Sequence, residues 1–171
     1  MAMALAEFAA RSIAAGIGAT LVIDLWALLL RRGLGWASLD WSMAGRWIGH
    51  LPGGRFAHER IAAAPAVRGE RAIGWVFHYV VGTVFAGALL AVMGADWASR
   101  PTLIACLATG WLTIVFPWFV MQPSMGAGFA AARTPHPPRA RLQSVLTHTV
   151  FGMGLYLAFT GLALLFPSAT A

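Results

Sequence analysis

The chain carries little charge for its length, and its basic residues are of one kind. Only 11% of its 171 residues are charged: 6 are Asp or Glu, and the 12 basic residues are all arginine. Soluble domains carry about 25% charged residues, because a fold of this size exposes a large surface to water. The deficit argues against a soluble enzyme or a disordered chain. It favours an integral membrane protein.

Cysteine is nearly absent, and so are the common catalytic motifs. Cys106 is the single cysteine, which excludes an internal disulfide and a C-x-x-C motif. The sequence contains no G-x-S-x-G elbow, no Walker loop and no H-E-x-x-H zinc motif. His58 and Glu59 lack the second histidine that a zinc protease would need. The sequence therefore predicts no particular enzyme.

What the sequence has in abundance is long apolar stretches. Hydrophobic residues make up 59% of the chain, and a membrane-spanning helix needs about 20 of them in a row. Four stretches qualify, at residues 13–30, 73–94, 102–121 and 145–166. We predict an all-α, integral membrane four-helix bundle, with residues 1–171 forming one transmembrane domain. Pro117 is expected to kink the third span.

The arginines are distributed unevenly between the two sides of the predicted bundle. Seven lie in or beside the loop after the first span and three in the loop after the third, out of 12. By the positive-inside rule both loops are expected in the cytoplasm. This predicts a multi-pass protein with both termini on the periplasmic side. It also explains the pI of 11.3 without a nucleic-acid partner.

The first of these loops is long enough to contain structure. Ser38 is a candidate N-cap for a short helix running to Leu51, with Trp41 and Trp47 on its apolar face. We predict that this amphipathic helix lies in the membrane interface, where it could bind anionic lipid or a partner protein. A second short helix is expected over Phe56–Ala64.

The second and fourth spans begin with the same pattern. Both read R-x6-H-x-V-x-G, formed by Arg71, His78, Val80 and Gly82 and by Arg141, His148, Val150 and Gly152. Thr20–Asp24 in the first span weakly resembles Thr113–Pro117 in the third. The match predicts two helix pairs related by an axis along the membrane normal, a parallel repeat.

Three ionisable residues fall at a similar depth inside these spans. Asp24, His78 and His148 lie within about 5 Å of one another in depth, at 1.5 Å per helical residue. An ionisable side chain in hydrocarbon is costly, so it usually has a function. Hydrogen bonds between helices are the structural alternative. Gln122, in the glycine-rich exit from the third span, belongs either to a helix cap or to a cavity wall.

Several segments together resemble a known family. They are Asp24–Ala27, Gly45–His50, Met121–Gly128 and Arg141–Ser144 with His148. The chain resembles, over nearly its whole length, the bacterial membrane proteins catalogued as domain of unknown function 2938. The resemblance implies a small inner-membrane protein and no defined activity, substrate or cofactor.

Three functions fit these observations, and an enzyme acting on lipid at the interface is a weaker fourth. The first is binding or translocation of a small ion, solute or proton through Asp24, His78 and His148, with Arg71, Arg141, Gly82, Gly152 and Gln122 around them. A pore would require a homo-oligomer or a membrane complex, because four helices enclose little volume. The second is a b-type haem protein, with His78 and His148 as axial ligands and Arg71 and Arg141 near the propionates. The third is an accessory protein without chemistry of its own.

Overall fold

The computed structural model describes residues 3–36 and 39–166, and every regular element among them is helical. Four helical segments are long and apolar enough to cross a membrane, at Leu5–Leu34, Glu70–Ser99, Leu103–Ser124 and Pro137–Leu165. They confirm the predicted all-α class and the four spans. The elements, numbered along the chain, are α1 (Leu5–Leu34), α2 (Trp41–His50), α3 (Glu70–Ser99), α4 (Leu103–Leu112), α5 (Gln122–Ser124) and α6 (Pro137–Leu165).

Helix α1 lies between α3 and α6 and packs closely on both through small residues. Gly16 faces the backbone of Gly82 in α3, and Gly154 of α6 faces Ala19. In a membrane, small residues let helix backbones approach and gain dispersion energy that burial from lipid does not supply. The buried face of α1 is a stripe of such residues, with Ser12, Ala15, Gly16, Ala19 and Thr20.

The two ends of the bundle differ. We call the end where α1 finishes and where α3 and α6 begin the arginine end, and the opposite end the far end. Towards the far end the interior is filled: Leu155 and Phe159 are fully buried, and Trp97 meets Phe159 edge-on at 5.3 Å between ring centroids. Arg11 bonds to Glu7 (2.8 Å) there. The bundle is therefore closed at the far end.

The third span is α-helical only in part. Helix α4 ends at Leu112, and a π-helical turn over Pro117–Met121 leads into α5. Proline has no N–H to donate, and the backbone N–H of Gln122 bonds to the carbonyl of Pro117, five residues earlier. The irregular segment is thus centred where a kink was predicted. Such backbone at membrane depth is tolerated where it is buried in protein or lines a cavity.

Helix α4 packs on α6, but α3 and α4 touch little. A Cβ atom on Gly152 would lie 2.8 Å from the carbonyl oxygen of Cys106, so the α4–α6 seam is tight. A twofold axis along the membrane normal would place α1 on α4 and α3 on α6. It would therefore map the α1–α6 interface, which is closely packed, onto the α3–α4 interface, which is not. The two interfaces differ, so any symmetry between the helix pairs is incomplete, and the parallel repeat stays a prediction.

The predicted amphipathic helix of the first loop is present, with different limits. It covers Trp41–His50, and a single 3-10 turn begins at Leu51. Asp40 caps it by accepting a 2.9 Å hydrogen bond from the backbone N–H of Ser42. The predicted cap, Ser38, lies outside the described residues.

Helix α2 packs against the first turns of α3. Gly45 faces the carbonyl of Glu70, and Gly74 faces the carbonyl of Trp41, so the two backbones touch. Arg46 of α2 forms two hydrogen bonds to the Glu70 carboxylate, at 2.7 and 2.8 Å. Bidentate pairs of this kind fix orientation. They hold α2 beside the arginine end.

The second predicted loop helix, over Phe56–Ala64, is wrong for most of its length. Only Ile61–Ala63 forms a single 3-10 turn. The backbone N–H groups of His58 and Ile61 instead donate to the carbonyls of Ser124 (2.8 Å) and Met125 (3.1 Å). Those carbonyls lie at the exit of the third span and replace the partners that a helix would have supplied.

Candidate ligand-binding cavity

A cavity of about 1010 Å³ lies between the spans at the arginine end. All four spans and the start of α2 contribute to its wall. It lies where the third span forms its π-helical turn and where α3 and α4 make few contacts. Asp24, His78 and His148, the three ionisable residues singled out in the sequence, all line it.

Asp24 and His78 contact each other across α1 and α3. The Nε2 atom of His78 donates to Oδ1 of Asp24 at 3.0 Å. Tyr79 follows His78 in the chain, and its hydroxyl donates to the other carboxylate oxygen, Oδ2, at 2.7 Å. The carboxylate therefore accepts hydrogen bonds from two adjacent residues of one helix. These bonds offset the free-energy cost of placing a carboxylate away from water at membrane depth.

The imidazole ring of His78 also packs between aromatic side chains. Trp41, the first residue of α2, stacks on it with ring centroids 3.9 Å apart and an angle of 24°. Trp75 approaches the same ring edge-on at 5.9 Å. His78 is only 8% exposed. The contact between α2 and α3 thus determines where this imidazole lies.

His148 lines the same cavity but has different partners. Its Nδ1 lies 3.1 Å from the carbonyl oxygen of Gly110 and 2.9 Å from Oγ1 of Thr113. A carbonyl only accepts, so Nδ1 carries the hydrogen. In the neutral imidazole Nε2 is then free of hydrogen and can accept a proton or a hydrogen bond.

The three residues therefore share a cavity without forming one bonded cluster. Asp24 bonds to His78, whereas His148 is fixed by α4. Among the described residues, no group of three or more His, Cys, Asp or Glu side chains is placed to hold a metal ion. The Asp24 bond uses the Nε2 atom of His78, so an axial haem ligand at this residue would have to give up that bond or use Nδ1.

The surrounding residues named in the sequence divide into two groups. Arg71, Gly82 and Gln122 line the cavity. Arg141 and Gly152 are not part of its wall. The Nε atom of Arg141 donates to the carbonyl of Ala130 (2.8 Å), while Gly152 is covered by α4. The repeated motif thus gives its arginines and glycines different surroundings in the two halves.

Sequence reasoning missed four contributors: Arg31, Trp41, Tyr79 and Thr113. Tyr79 carried a signal, because it adjoins His78 and is one of two tyrosines. Arg31 ends the first span and reaches the cavity from the last turn of α1. Trp41 belongs to the loop helix, and the packing of α2 on α3 brings it to the cavity. Thr113 was noted only as a weak repeat match.

The floor of the cavity is aromatic. Phe85 lies 6.4 Å from Phe116 and 6.3 Å from Phe151, measured between ring centroids, and the three rings come from α3, the third span and α6. All three line the cavity. The polar residues around Asp24 consequently lie between an apolar floor and an open mouth at the arginine end.

Comparison with known proteins gives a family and no activity. Residues 13–162 match the model of a family described as a protein of unknown function, DUF2938. No curated protein matches the chain, and no solved structure does.

Proposed function

We propose that this chain, which belongs to the DUF2938 family, is a membrane protein that binds a small solute in the cavity at the arginine end. The observation that carries the proposal is the shared cavity of Asp24, His78 and His148. Three costly ionisable groups from three helices line a space of about 1010 Å³, large enough for a small molecule.

The closed far end favours binding over an open pore. Leu155 and Phe159 are 0% exposed, and Leu90 is 1% exposed. A continuous channel would need these side chains to move. Proton or solute translocation through one chain would therefore require a second conformation, whereas binding requires none.

The polar groups in the cavity offer hydrogen-bond acceptors to a ligand. The Asp24 carboxylate can accept further hydrogen bonds beyond those from His78 and Tyr79. His148 offers a free Nε2 acceptor, and Gln122 has a buried Oε1 with no partner among the described residues. Water in the open cavity, or a donor group of the ligand, can satisfy these acceptors.

Haem binding is the second candidate, and one contact favours it. A histidine ligand commonly donates its other ring N–H to a carbonyl, as Nδ1 of His148 does to Gly110. The bond from His78 to Asp24 weighs against the second axial ligand. A Soret band in the purified protein that disappears in His148→Ala would favour haem.

The test of solute binding uses a neutral probe and a variant with a filled cavity. Thr147 lines the cavity, so Thr147→Trp places a large side chain inside it. The probe is the methyl ester of a dansyl-labelled undecanoic acid, added to the full chain in phosphatidylcholine nanodiscs. Energy transfer from tryptophan to dansyl reports binding, because Trp41 and Trp75 line the cavity.

We expect Thr147→Trp to weaken saturable probe binding about tenfold or more, since it occupies the space of the ligand. The matched control is Leu157→Trp in the same helix, because Leu157 is 60% exposed on the outer surface and should change nothing. Equal binding by both variants would mean that the probe sits on the lipid-facing surface, and the proposed function would fail.

A further inference from the structure

The cavity changes character along its depth. Arg31 lies in the last turn of α1 and Arg71 in the first turn of α3, and both line the cavity at its mouth. His78 is seven residues further along α3 and Phe85 fourteen, about 10 and 21 Å deeper at the helical rise. A molecule that fills this space meets arginine at one end and aromatic rings at the other.

The two arginines at the mouth are uncompensated. Arg31 and Arg71 make no hydrogen bond or ion pair within residues 3–36 and 39–166. By contrast, Arg46 is neutralised by Glu70. Two exposed guanidinium groups on one opening are therefore available to a ligand, and guanidinium binds carboxylate and phosphate groups through paired hydrogen bonds.

The carboxylates in the wall are already engaged. Asp24 accepts from His78 and Tyr79, and Asp40 accepts from the backbone of Ser42. Asp40 lies at the mouth and offsets part of the positive charge. Two arginines against one carboxylate leave the opening positive. The N-termini of α3 and α6 lie at this end together with the C-termini of α1 and the third span. Their helix dipoles largely cancel, so the positive charge of the opening comes from the arginine side chains.

Resting on the proposed function, we infer that the solute is an anionic amphiphile, with a carboxylate or phosphate head at Arg31 and Arg71 and an apolar body against the aromatic floor. A neutral or cationic solute would leave the arginines unused. A fully polar anion would leave Phe85, Phe116 and Phe151 facing water. The amphiphile satisfies both ends of the cavity at once.

The test compares the dansyl-labelled undecanoic acid with its methyl ester on the full chain in phosphatidylcholine nanodiscs. The two probes differ only in the charge of the head group. We expect the acid to bind about tenfold more tightly than the ester. In the double variant R31Q/R71Q the acid should lose that advantage, so that acid and ester bind with similar affinity.

The matched control is Arg32→Gln. Arg32 is next to Arg31, is exposed and does not line the cavity, so this variant removes the same charge from the same helix end. It should keep the preference for the acid. Equal affinity for acid and ester in the wild-type chain, or a preference that survives in R31Q/R71Q, would overturn the inference. Both results leave the proposed function standing if Thr147→Trp still removes binding.

A second arm identifies the source of the ligand. Phosphatidylglycerol is added to the nanodiscs, and binding of the neutral ester is measured again. Weaker ester binding means that the anionic lipid of the bilayer itself occupies the cavity. Unchanged ester binding together with preference for the acid means that a free single-chain amphiphile is the ligand.

Discussion

Asp24 connects α1 to α3 at the depth of the cavity. It accepts hydrogen bonds from His78 (3.0 Å) and Tyr79 (2.7 Å). Asp24→Ala removes both acceptors at once and leaves two donors unpaired, and each unpaired buried group costs about 1–3 kcal/mol. We expect Asp24→Ala to lower the free energy of unfolding by at least about 1–3 kcal/mol, the cost of one unpaired donor. Chemical denaturation in detergent measures this change.

Asp96 provides the control for this prediction. It is exposed near the far end of α3 and makes no described hydrogen bond, so Asp96→Ala should leave stability nearly unchanged. If Asp24→Ala were as stable as Asp96→Ala, the contact between Asp24, His78 and Tyr79 would contribute nothing to the fold.

His58 makes the stability of the loop depend on pH. It is 8% exposed and neither ring nitrogen has a partner among the described residues. Burial, followed by the charges of His50 and Arg55, lowers the pKa of His58 below 6.5. The unfolded chain therefore takes up a proton below about pH 6.5 while the folded chain does not. The folded state should lose stability as the pH falls through that range.

The measurement compares thermal unfolding at neutral and mildly acidic pH in two variants. His58→Phe keeps a buried ring and removes the titration, so its unfolding temperature should fall less on acidification than that of the wild type. His136 is exposed, and His136→Phe should behave like the wild type. An identical pH response in all three chains would refute the role given to His58.

At the scale of elements, the spans could be predicted from the sequence and the loop structure could not. Apolar runs ended by arginine and proline define α1, α3 and α6. The segment over residues 56–61 looks helical locally, but the backbone N–H groups of His58 and Ile61 donate to Ser124 and Met125, more than sixty residues away. No local pattern contains that information. Trp41 likewise joins the cavity only through the long-range packing of α2 on α3.

Glycine packing between helices gives a prediction at this scale. In α6, Gly152 presses on the backbone of α4, whereas Gly161 has nothing within 4 Å of a Cβ position. Gly152→Ala should therefore destabilise the bundle by about 1–3 kcal/mol through overpacking. Gly161→Ala should be neutral or should stabilise it by up to about 1 kcal/mol, because alanine favours a helix.

The measurement is the free energy of unfolding of Gly152→Ala and Gly161→Ala in the same detergent. The helix and the substitution are the same in both, so the difference in stability reports the contact with α4. Equal stability of the two variants would mean that α4 and α6 do not approach as closely as the structure describes.

At the scale of the whole molecule, orientation in the membrane is still a prediction from the arginines. With both termini in the periplasm, a reporter that is active only in the cytoplasm should work when fused at Gly53 and fail when fused at the C-terminus. The cavity would then open to the cytoplasm, since Arg31 and Arg71 lie on that side. A cytoplasmically active C-terminal fusion would reverse the orientation and place the mouth outside.

The whole molecule is also asymmetric in a way that the sequence repeat does not reveal. The motif pairs His78 with His148, but His78 bonds to Asp24 and His148 to the Gly110 carbonyl. The reason is local: Asp24 matches Pro117 in the weak alignment of the first and third spans, and proline supplies no acceptor side chain. The cavity is therefore lined by residues that have different partners in the two helix pairs: His78 with Asp24, and His148 with Gly110.

The most direct test of solute binding in this cavity is photo-crosslinking with a diazirine-bearing form of the dansyl ester, followed by mass spectrometry of the labelled peptides. In the wild-type chain we expect adducts on cavity residues such as Phe151 as well as on lipid-facing residues such as Leu164. In Thr147→Trp the cavity adducts should disappear while the lipid-facing adducts remain. The same adducts in both chains, confined to lipid-facing residues, would contradict solute binding in the cavity.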